Sequence, residues 1–379
     1  MKTEKKLPPY EQHPLAGGSF MNLIKLFLSS GGVDREYLLK ALVVARESLR
    51  TIPLRIYESL KFDRKLAEVE IKFPPIFIIG HWRSGTTYLH YLISRDPNLG
   101  YYATWQAFRN SEIFLANPKL AKLRADATFP KKRGIDGVIL SSDYPTEEEP
   151  ALANYSSYSF ATGRFFAKNM QSVFQKVVLF AGGDESTKSG WKRGYLRFFK
   201  RVTLSAEGKR LILKNPLNTA RIEALLELFP DAKFIHIYRN PYVVYASTCN
   251  LNQKFGEILG FQRISDREMS ENIFYLYKAM MKNFGDAKSL IPPSNLIEIS
   301  YEDFIGNEIS YLNRIYTQFN LPGFEQAESL FRKYIESQAN YETNKYSLDE
   351  ETIKRITEEW KFTIDRWQYD VPEEIRKIG

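Results

Sequence analysis

The sequence predicts an α/β fold in which helices flank a central, P-loop-like parallel sheet. Short apolar runs of strand length alternate along the chain with segments whose apolar residues recur at helical spacing. This alternation requires crossover connections, which place the strands parallel to one another. The 379 residues and their 44% hydrophobic content are enough to build one large core of this kind.

The predicted elements follow in chain order. Strand candidates are the apolar runs 76–79, 210–213, 233–238 and 295–299. Helical spacing follows these runs over residues 87–94, 219–229, 242–252 and 304–319. Before the first strand, residues 20–28 and 35–60 have helical spacing, interrupted at Gly31-Gly32 and at Pro53. No repeat or low-complexity linker divides the chain, so we expect a single domain over 1–379. Its core would be 73–350, and residues 1–70 and about 100–200 would form a helical cap over the acceptor site.

Composition excludes several classes of protein. The net charge of +8 is modest, and the longest basic run is Lys131-Lys132-Arg133, so we expect no nucleic-acid partner. That charge suits a small polyanion or an anionic membrane surface. Cys249 is the single cysteine and there are four histidines, so we expect a reducing compartment and no metal site. The N-terminus lacks a signal-peptide core, and residues 20–28 are too short to span a bilayer, which favours a cytoplasmic location.

Residues 77–87 are the most informative segment, because an apolar strand there runs into a glycine- and hydroxyl-rich turn and then a helix. Such a turn directs backbone N–H groups and the positive end of the helix dipole at an anion. Gly80 and Gly85 have the spacing of a Walker A loop, but Thr86 stands where that motif has lysine. The cation of the loop is Arg83 instead, whose guanidinium suits phosphate or sulfate oxygens. The segment therefore predicts an anion site that is poorly suited to ATP.

The run Arg83-Ser84-Gly85-Thr86-Thr87 resembles the 5′-phosphosulfate-binding loop of sulfotransferases, P-K-S-G-T-T, with arginine for lysine as in the bacterial branch. The resemblance implies a sulfuryl donor, 3′-phosphoadenosine 5′-phosphosulfate (PAPS), which leaves as 3′-phosphoadenosine 5′-phosphate (PAP), and no metal. These five residues would then bind the 5′-phosphosulfate.

A second motif occurs about 150 residues later. After the apolar run 234–238, the sequence Tyr238-Arg239-Asn240-Pro241 followed by Ser247 resembles the family's 3′-phosphate-binding element. Arg239 at a strand end can bind a phosphate, and proline suits the first turn of the following helix. The resemblance implies that Arg239 and Ser247 hold the 3′-phosphate.

Two further segments resemble the family. Lys214-Asn215-Pro216 resembles its K-[ST]-P segment, which implies that Lys214 stabilises charge on the transferred group. The alternative for Lys214 is a solvated strand end. Residues 341–348 resemble a bacterial element near the nucleotide, which would make Lys345 a donor ligand. The resemblance as a whole covers about 73–350.

Sulfuryl transfer to a hydroxyl needs a general base, and the histidine of the cytosolic enzymes is absent after Lys214. Residues 143–152 resemble a bacterial acidic segment, so the carboxylate candidates are Glu147 and Glu149, with Glu148 next. Adjacent carboxylates repel one another, and a buried one should therefore have a raised pKa. His81 and His90 are the fallback bases. At least two of the three glutamates should be solvated charges in a loop.

Aromatic stretches at 101–108 and 154–160, with few charges over 151–162, favour an apolar acceptor alcohol such as a sterol, lipid or phenol. Residues 20–28 would form a lid over it or rest on a membrane surface; core packing is the alternative for all these segments. The predicted function is PAPS-dependent sulfuryl transfer to such an alcohol. A P-loop kinase or NTPase is the alternative within the fold, and a non-catalytic nucleotide-binding or membrane-peripheral protein is the alternative outside catalysis.

Overall fold

The computed structural model describes residues 13–107, 114–128, 141–182, 185–339, 346–373 and 375–377. Their Cα positions group into two compact units. The sheet unit comprises the described residues of 71–101, 206–251 and 266–379. The helical unit comprises those of 1–70, 102–205 and 252–265.

The strands are β1 (Ile76–Ile79), β2 (Leu99–Gly100), β3 (Arg210–Lys214), β4 (Lys233–Tyr238), β5 (Leu296–Ser300), β6 (Ser347–Leu348) and β7 (Arg376–Lys377). The α-helices are α1 (Phe20–Ser29), α2 (Leu38–Arg50), α3 (Ile52–Glu68), α4 (Thr86–Ile93), α5 (Thr104–Ala107), α6 (Pro118–Thr128), α7 (Glu149–Tyr155), α8 (Ala161–Phe165), α9 (Met170–Val177), α10 (Glu185–Ser205), α11 (Ile222–Leu228), α12 (Pro241–Leu259), α13 (Asp266–Ala287), α14 (Tyr301–Phe304), α15 (Glu308–Gln318), α16 (Phe324–Ser337), α17 (Glu350–Glu359) and α18 (Lys361–Trp367).

The sheet unit is built on a five-stranded sheet of order β2-β3-β1-β4-β5. Every pairing in it is parallel, and β1 lies in the middle, with Phe77 opposite Leu213 of β3 and Phe234 of β4. All four residues of β1 are buried, as expected for an apolar run covered on both faces. The predicted α/β class and parallel sheet are confirmed. The carboxyl ends of these strands lie at one edge of the sheet, where ligands bind in folds of this class.

The four predicted strands agree with the structure to within a residue or two at their ends, whereas the helices differ more. Helices α3 and α12 extend to Glu68 and Leu259, beyond the predicted ends at 60 and 252, and two others differ in kind. The predicted helix 304–319 is two helices, α14 and α15, separated around Gly306. Gly306 has φ +87°, a left-handed conformation that an α-helix cannot continue through. The predicted helix 219–229 begins as a 3₁₀ turn, Pro216–Ala220, before α11.

The helical unit has a core of its own. Leu23 and Leu26 of α1 and Val44 of α2 are buried in one apolar cluster with Phe165 and Phe261. The predicted interruption near Pro53 occurs at Thr51, and proline stands at the second position of α3, where its missing N–H costs no helical hydrogen bond.

A buried ion pair also lies in the helical unit. Glu58 of α3 pairs with Arg201 of α10, and both side chains are inaccessible to solvent. Backbone N–H groups of Leu115 and Ala116 also donate to the Glu58 carboxylate, so several partners compensate the buried charge.

Within the described part of the chain, no helix is both long enough and apolar enough to span a membrane.

Candidate active site

The glycine-rich turn follows β1 directly, and its backbone shape depends on two glycines. Gly80 has φ +136°, and a Cβ there would lie 2.1 Å from the carbonyl oxygen of Ile237. Gly85 has φ +90°, and a Cβ there would lie 2.3 Å from the ring of Tyr301. Neither position accepts a side chain without displacing its neighbour. The Gly80 N–H donates to Thr219 Oγ1 at 2.7 Å, which fixes the beginning of the turn.

Helix α4 begins at Thr86, immediately after Gly85. The first N–H groups of a helix have no partner within it, so those of α4 are available at the turn. Arg83 has φ +70°, and the turn therefore passes through the left-handed region at Arg83 and again at Gly85. This alternation is the backbone form of an anion-binding nest.

Hydrogen bonds join the turn to the second predicted motif. Arg83 Nε donates to Ser247 Oγ at 2.7 Å, although 164 residues separate the two. Arg239 Nη1 donates to the carbonyl oxygen of Arg83 at 3.3 Å. The two motifs therefore meet at the carboxyl edge of the sheet, as the sequence predicts for groups that follow neighbouring parallel strands.

Lys214 is the last residue of β3, next to β1 in the sheet, and its side chain is 3% exposed. Its Nζ donates to Thr87 Oγ1 at 3.3 Å, which brings a third cation to the turn. The alternative of a solvated strand end for Lys214 is therefore wrong.

The structure adds two tyrosines to this set. The Arg239 guanidinium lies 4.1 Å from the ring centre of Tyr301, a cation–π contact that fixes its plane. Tyr346 Oη lies 2.9 Å from Ser247 Oγ, so Ser247 contacts both Arg83 and a tyrosine. Tyr301 follows β5 directly, so the strand-end reasoning that found Lys214 and Arg239 could also have found it. Lys345, the neighbour of Tyr346, lies outside the described residues.

One atom of this cluster has no internal partner. Arg239 Nε is buried and makes no hydrogen bond to any described residue. A buried guanidinium N–H without an acceptor is costly, and a bound anion would supply the acceptor. This atom, beside the N-terminus of α4, fits a phosphate-bearing nucleotide.

The three predicted glutamates lie in the helical unit, and each has different surroundings. The expectation that at least two of them are solvated is wrong, because Glu148 and Glu149 are buried. Glu149 begins α7 and accepts hydrogen bonds from the Phe160 N–H at 2.7 Å and from Ser159 Oγ at 3.1 Å. Burial lowers the pKa of Arg164 to about 10, and the charge of Glu147 acts against that shift. Glu147 is therefore close to a cation, whereas Glu149 holds a backbone amide.

Glu148 is fully buried, and it accepts a hydrogen bond from Tyr195 Oη at 3.0 Å. Burial raises the pKa of Glu148 to about 7, against the Tyr195 hydrogen bond, which lowers it. The charges of its two neighbouring glutamates raise the pKa further, as the sequence predicts for adjacent carboxylates.

The two fallback histidines are buried. His90 lies on α4 with Nε2 3.3 Å from the carbonyl oxygen of Ile212, and burial, followed by the charge of Lys214, lowers its pKa to about 3. His81 is 2% exposed and contacts the ring of Tyr277. Such surroundings suit packed side chains better than proton acceptors.

The aromatic stretches predicted for an acceptor pocket also contribute to the core of the helical unit. Tyr102 is inaccessible to solvent and packs against Phe198, and Phe160 packs in the same way against Phe174. Residue 108 lies outside the described residues.

Comparisons with known proteins agree with this geometry. A model of the sulfotransferase family matches residues 74–326. The omega-hydroxy-beta-dihydromenaquinone-9 sulfotransferase Stf3 of Mycobacterium bovis is 33% identical over 326 residues, which is 85% of this chain and 83% of the relative. The protein of the same name from Mycobacterium tuberculosis matches equally well.

Two crystal structures show the same P-loop-like fold. Sulfotransferase STF9 from Mycobacterium avium superposes with a TM-score of 0.68 at 20% identity, covering 94% of this chain and 97% of its own. STF1 from Mycobacterium tuberculosis superposes with a TM-score of 0.63 at 18% identity, covering 83% and 86%. Family, fold and the basic anion site agree, and the chain therefore belongs to the sulfotransferase family and is an enzyme that transfers a sulfuryl group from a sulfuryl donor.

Proposed function

We propose that this sulfotransferase uses PAPS and transfers its sulfuryl group to a hydroxyl of a lipid-like alcohol. The observation that carries the proposal is the cluster at the carboxyl edge of the sheet. There Arg83, Lys214 and Arg239, from three separate segments, meet at one anion-binding turn.

The donor assignment follows from the two ends of the cluster. The turn 83–87, with its helix N-terminus and hydroxyls, would bind the 5′-phosphosulfate. Arg239 and Ser247 would bind the 3′-phosphate. A phosphate oxygen would then accept a hydrogen bond from Arg239 Nε, which has no partner among the described residues. ATP is the poorer fit, because Thr86 replaces the lysine that binds its β- and γ-phosphates.

PAPS, when bound, supplies the sulfuryl group and leaves as PAP. The residues of the chain would then have two tasks, to stabilise negative charge and to remove a proton. Arg83 and Lys214 would stabilise charge that develops on the sulfuryl oxygens and the leaving phosphate. No metal is needed for this task, since three cationic side chains already serve the site.

We propose that Glu148 is the general base that removes the proton of the acceptor hydroxyl. Its pKa of about 7 is matched to a base that works near neutral pH, whereas Glu147 is close to Arg164 and Glu149 holds the Phe160 amide. Tyr195 would orient the carboxylate. This proposal places Glu148 before Glu147 and Glu149, the two candidates that the sequence favours.

The acceptor class rests on the relatives. The name of the mycobacterial Stf3 proteins specifies an omega-hydroxylated dihydromenaquinone, an alcohol on a long apolar chain. An acceptor of this class agrees with the few charges over residues 151–162. It would reside in a bilayer, so we also propose that the protein contacts a membrane peripherally.

The test is transfer of ³⁵S from labelled PAPS to a mixed extract of lipids, sterols and phenols, followed by chromatography of the labelled products. We expect label in a long-chain alcohol and none in the Lys214→Ala variant. PAP should raise the melting temperature, because a ligand that binds only the native state stabilises it. Stabilisation by Mg²⁺-ATP but not by PAP would instead identify a kinase-like enzyme.

A further inference from the structure

The first helices of the helical unit expose large apolar side chains in rows. On α1, Met21 and Leu28 are exposed on the same face as Lys25, and Leu28 is 79% exposed. Residues four and three positions apart lie on one face of a helix, so these three form one row.

The next two helices repeat the pattern. On α2 the exposed apolar residues are Leu38, Leu39, Leu42 and Leu49, and on α3 they include Leu54, Ile56, Tyr57 and Leu60. Leu42 is 68% exposed and Leu60 is 83% exposed. Single exposed leucines are common on soluble proteins, but rows on three successive helices indicate an interaction surface.

Packing on the opposite faces keeps these rows exposed. Leu26 of α1 and Val44 of α2 are buried in the core, and Ser48 Oγ donates to the carbonyl oxygen of Gly18. The helices therefore cannot rotate to bury the exposed leucines without losing these contacts. We call the exposed faces of α1, α2 and α3 the leucine face.

Basic residues accompany the leucine face. Lys25, Lys61 and Lys65 are exposed and make no ion pair with any described residue. The acidic residues nearby are largely compensated, because Glu47 pairs with Arg46 and Arg50, and Asp63 pairs with Arg197. Apolar rows flanked by lysines that no described carboxylate neutralises are the pattern of helices that lie in the interface of an anionic bilayer.

We infer that the leucine face is a docking surface for an anionic lipid bilayer. Leucine side chains would enter the acyl boundary while the lysines contact the headgroups. The inference deepens the proposed function, since it explains how an enzyme with no described membrane-spanning helix reaches an acceptor dissolved in lipid. The docking itself needs only the leucine face.

A second copy of the chain is a less suitable occupant. A two-fold interface brings the same patch of both copies together, so the lysines of both leucine faces would lie in one interface and repel one another. An anionic membrane supplies the opposite charge.

The test is co-sedimentation of the full chain with phosphatidylcholine vesicles and with vesicles containing 30% phosphatidylglycerol. We expect binding to the anionic vesicles, and a weakening of at least tenfold for the variant Leu42→Ser/Leu60→Ser. The matched control, Leu290→Ser/Leu330→Ser, removes two leucines that are 53% and 40% exposed elsewhere and should bind as the wild type does. The variant Lys25→Gln/Lys61→Gln/Lys65→Gln should lose the preference for anionic vesicles.

The inference is overturned if the wild type binds neither vesicle, or if the leucine variant binds as well as the control. It is also overturned if sedimentation velocity shows a wild-type dimer that the leucine variant alone dissociates. Stabilisation by PAP, measured on every variant, reports correct folding. Sulfation of detergent-solubilised acceptor without vesicle binding would reject docking alone, and vesicle binding without sulfation of any lipid would reject the proposed acceptor alone.

Discussion

Arg83, Lys214 and Arg239 of the sheet unit, which we call the donor cluster after its proposed ligand, contrast with the acidic segment 147–149 of the helical unit. The two show different relations between sequence and structure. In the donor cluster, Lys214 and Arg239 are far apart in the chain, yet they stand at the ends of β3 and β4, the two parallel strands that flank β1. In the acidic segment, three adjacent glutamates have three different sets of neighbours. The ends of parallel strands therefore bring distant residues together predictably. Adjacent residues at the start of a helix, in contrast, can have entirely different neighbours.

Removal of a cation from the donor cluster should give the largest loss of activity. We expect Arg83→Ala and Lys214→Ala each to lower kcat/KM by about 10³-fold or more, because each removes a charge placed to stabilise the transition state. Single-turnover transfer from labelled PAPS measures the effect. Lys209→Ala, an exposed lysine in the same unit, is the control and should leave the rate unchanged. Near-normal transfer by both alanine variants would contradict the site.

Replacement of the glutamates tests the role of the acidic segment. We expect Glu148→Gln to lower kcat by about 10²-fold, as typical for loss of a general base, and Glu149→Gln to lower it much less. In the wild type the rate should fall as the pH drops below about 7, because the base must be deprotonated and the pKa of Glu148 is raised to about 7. A rate midpoint near pH 4.5, or full activity of Glu148→Gln, would assign the proton to another group.

The same carboxyl group should affect stability in a way that does not depend on activity. Its pKa is about 7 in the folded state and 4.5 in the unfolded state, so the folded state binds more protons between these values. Stability should therefore fall as the pH rises from about 4.5 to 7, by up to about 3 kcal/mol. Urea unfolding of wild type and Glu148→Gln at pH 5 and pH 8 measures this, and the difference between the two proteins should change in favour of the variant at pH 8. Parallel curves for the two proteins would show that Glu148 does not titrate in this way.

The 3′-phosphate contact should give an effect on binding more than on chemistry. We expect Arg239→Ala to weaken PAP binding by about 10- to 100-fold, because charge-assisted hydrogen bonds contribute roughly 1.5–3 kcal/mol. Isothermal titration calorimetry measures the change. Arg239→Lys keeps the charge but loses the paired N–H groups. Its affinity for PAP should therefore lie between those of the wild type and Arg239→Ala. Equal PAP affinity in all three proteins would mean that Arg239 does not bind the donor.

The sequence predicts the sheet unit better than the surroundings of the acidic segment. The strands β1, β3, β4 and β5 were predictable because apolar runs of strand length are strong local signals. The motifs at their ends predicted the cations that meet at the turn. The two-residue strand β2 and the break at Gly306 were not, since each depends on a few residues in their tertiary setting. The different surroundings of the three glutamates were not predictable either, because they depend on Tyr195 and Arg164, neither of which the acidic motif includes.

Tyr346 offers the finest test of whether the donor cluster extends beyond its motifs. Its hydroxyl contacts Ser247 Oγ, which in turn accepts from Arg83 Nε, so we expect Tyr346 to affect donor binding through Ser247 and Arg83. Tyr346→Phe removes one neutral hydrogen bond, which contributes about 1 kcal/mol, and should therefore raise the KM for PAPS about fivefold with kcat almost unchanged. Ser247→Ala removes the shared partner, so Ser247→Ala and the double variant should have the same KM. If the two single effects multiplied instead, Tyr346 and Ser247 would contact the donor independently, and the chain of contacts to Arg83 would have no role in donor binding.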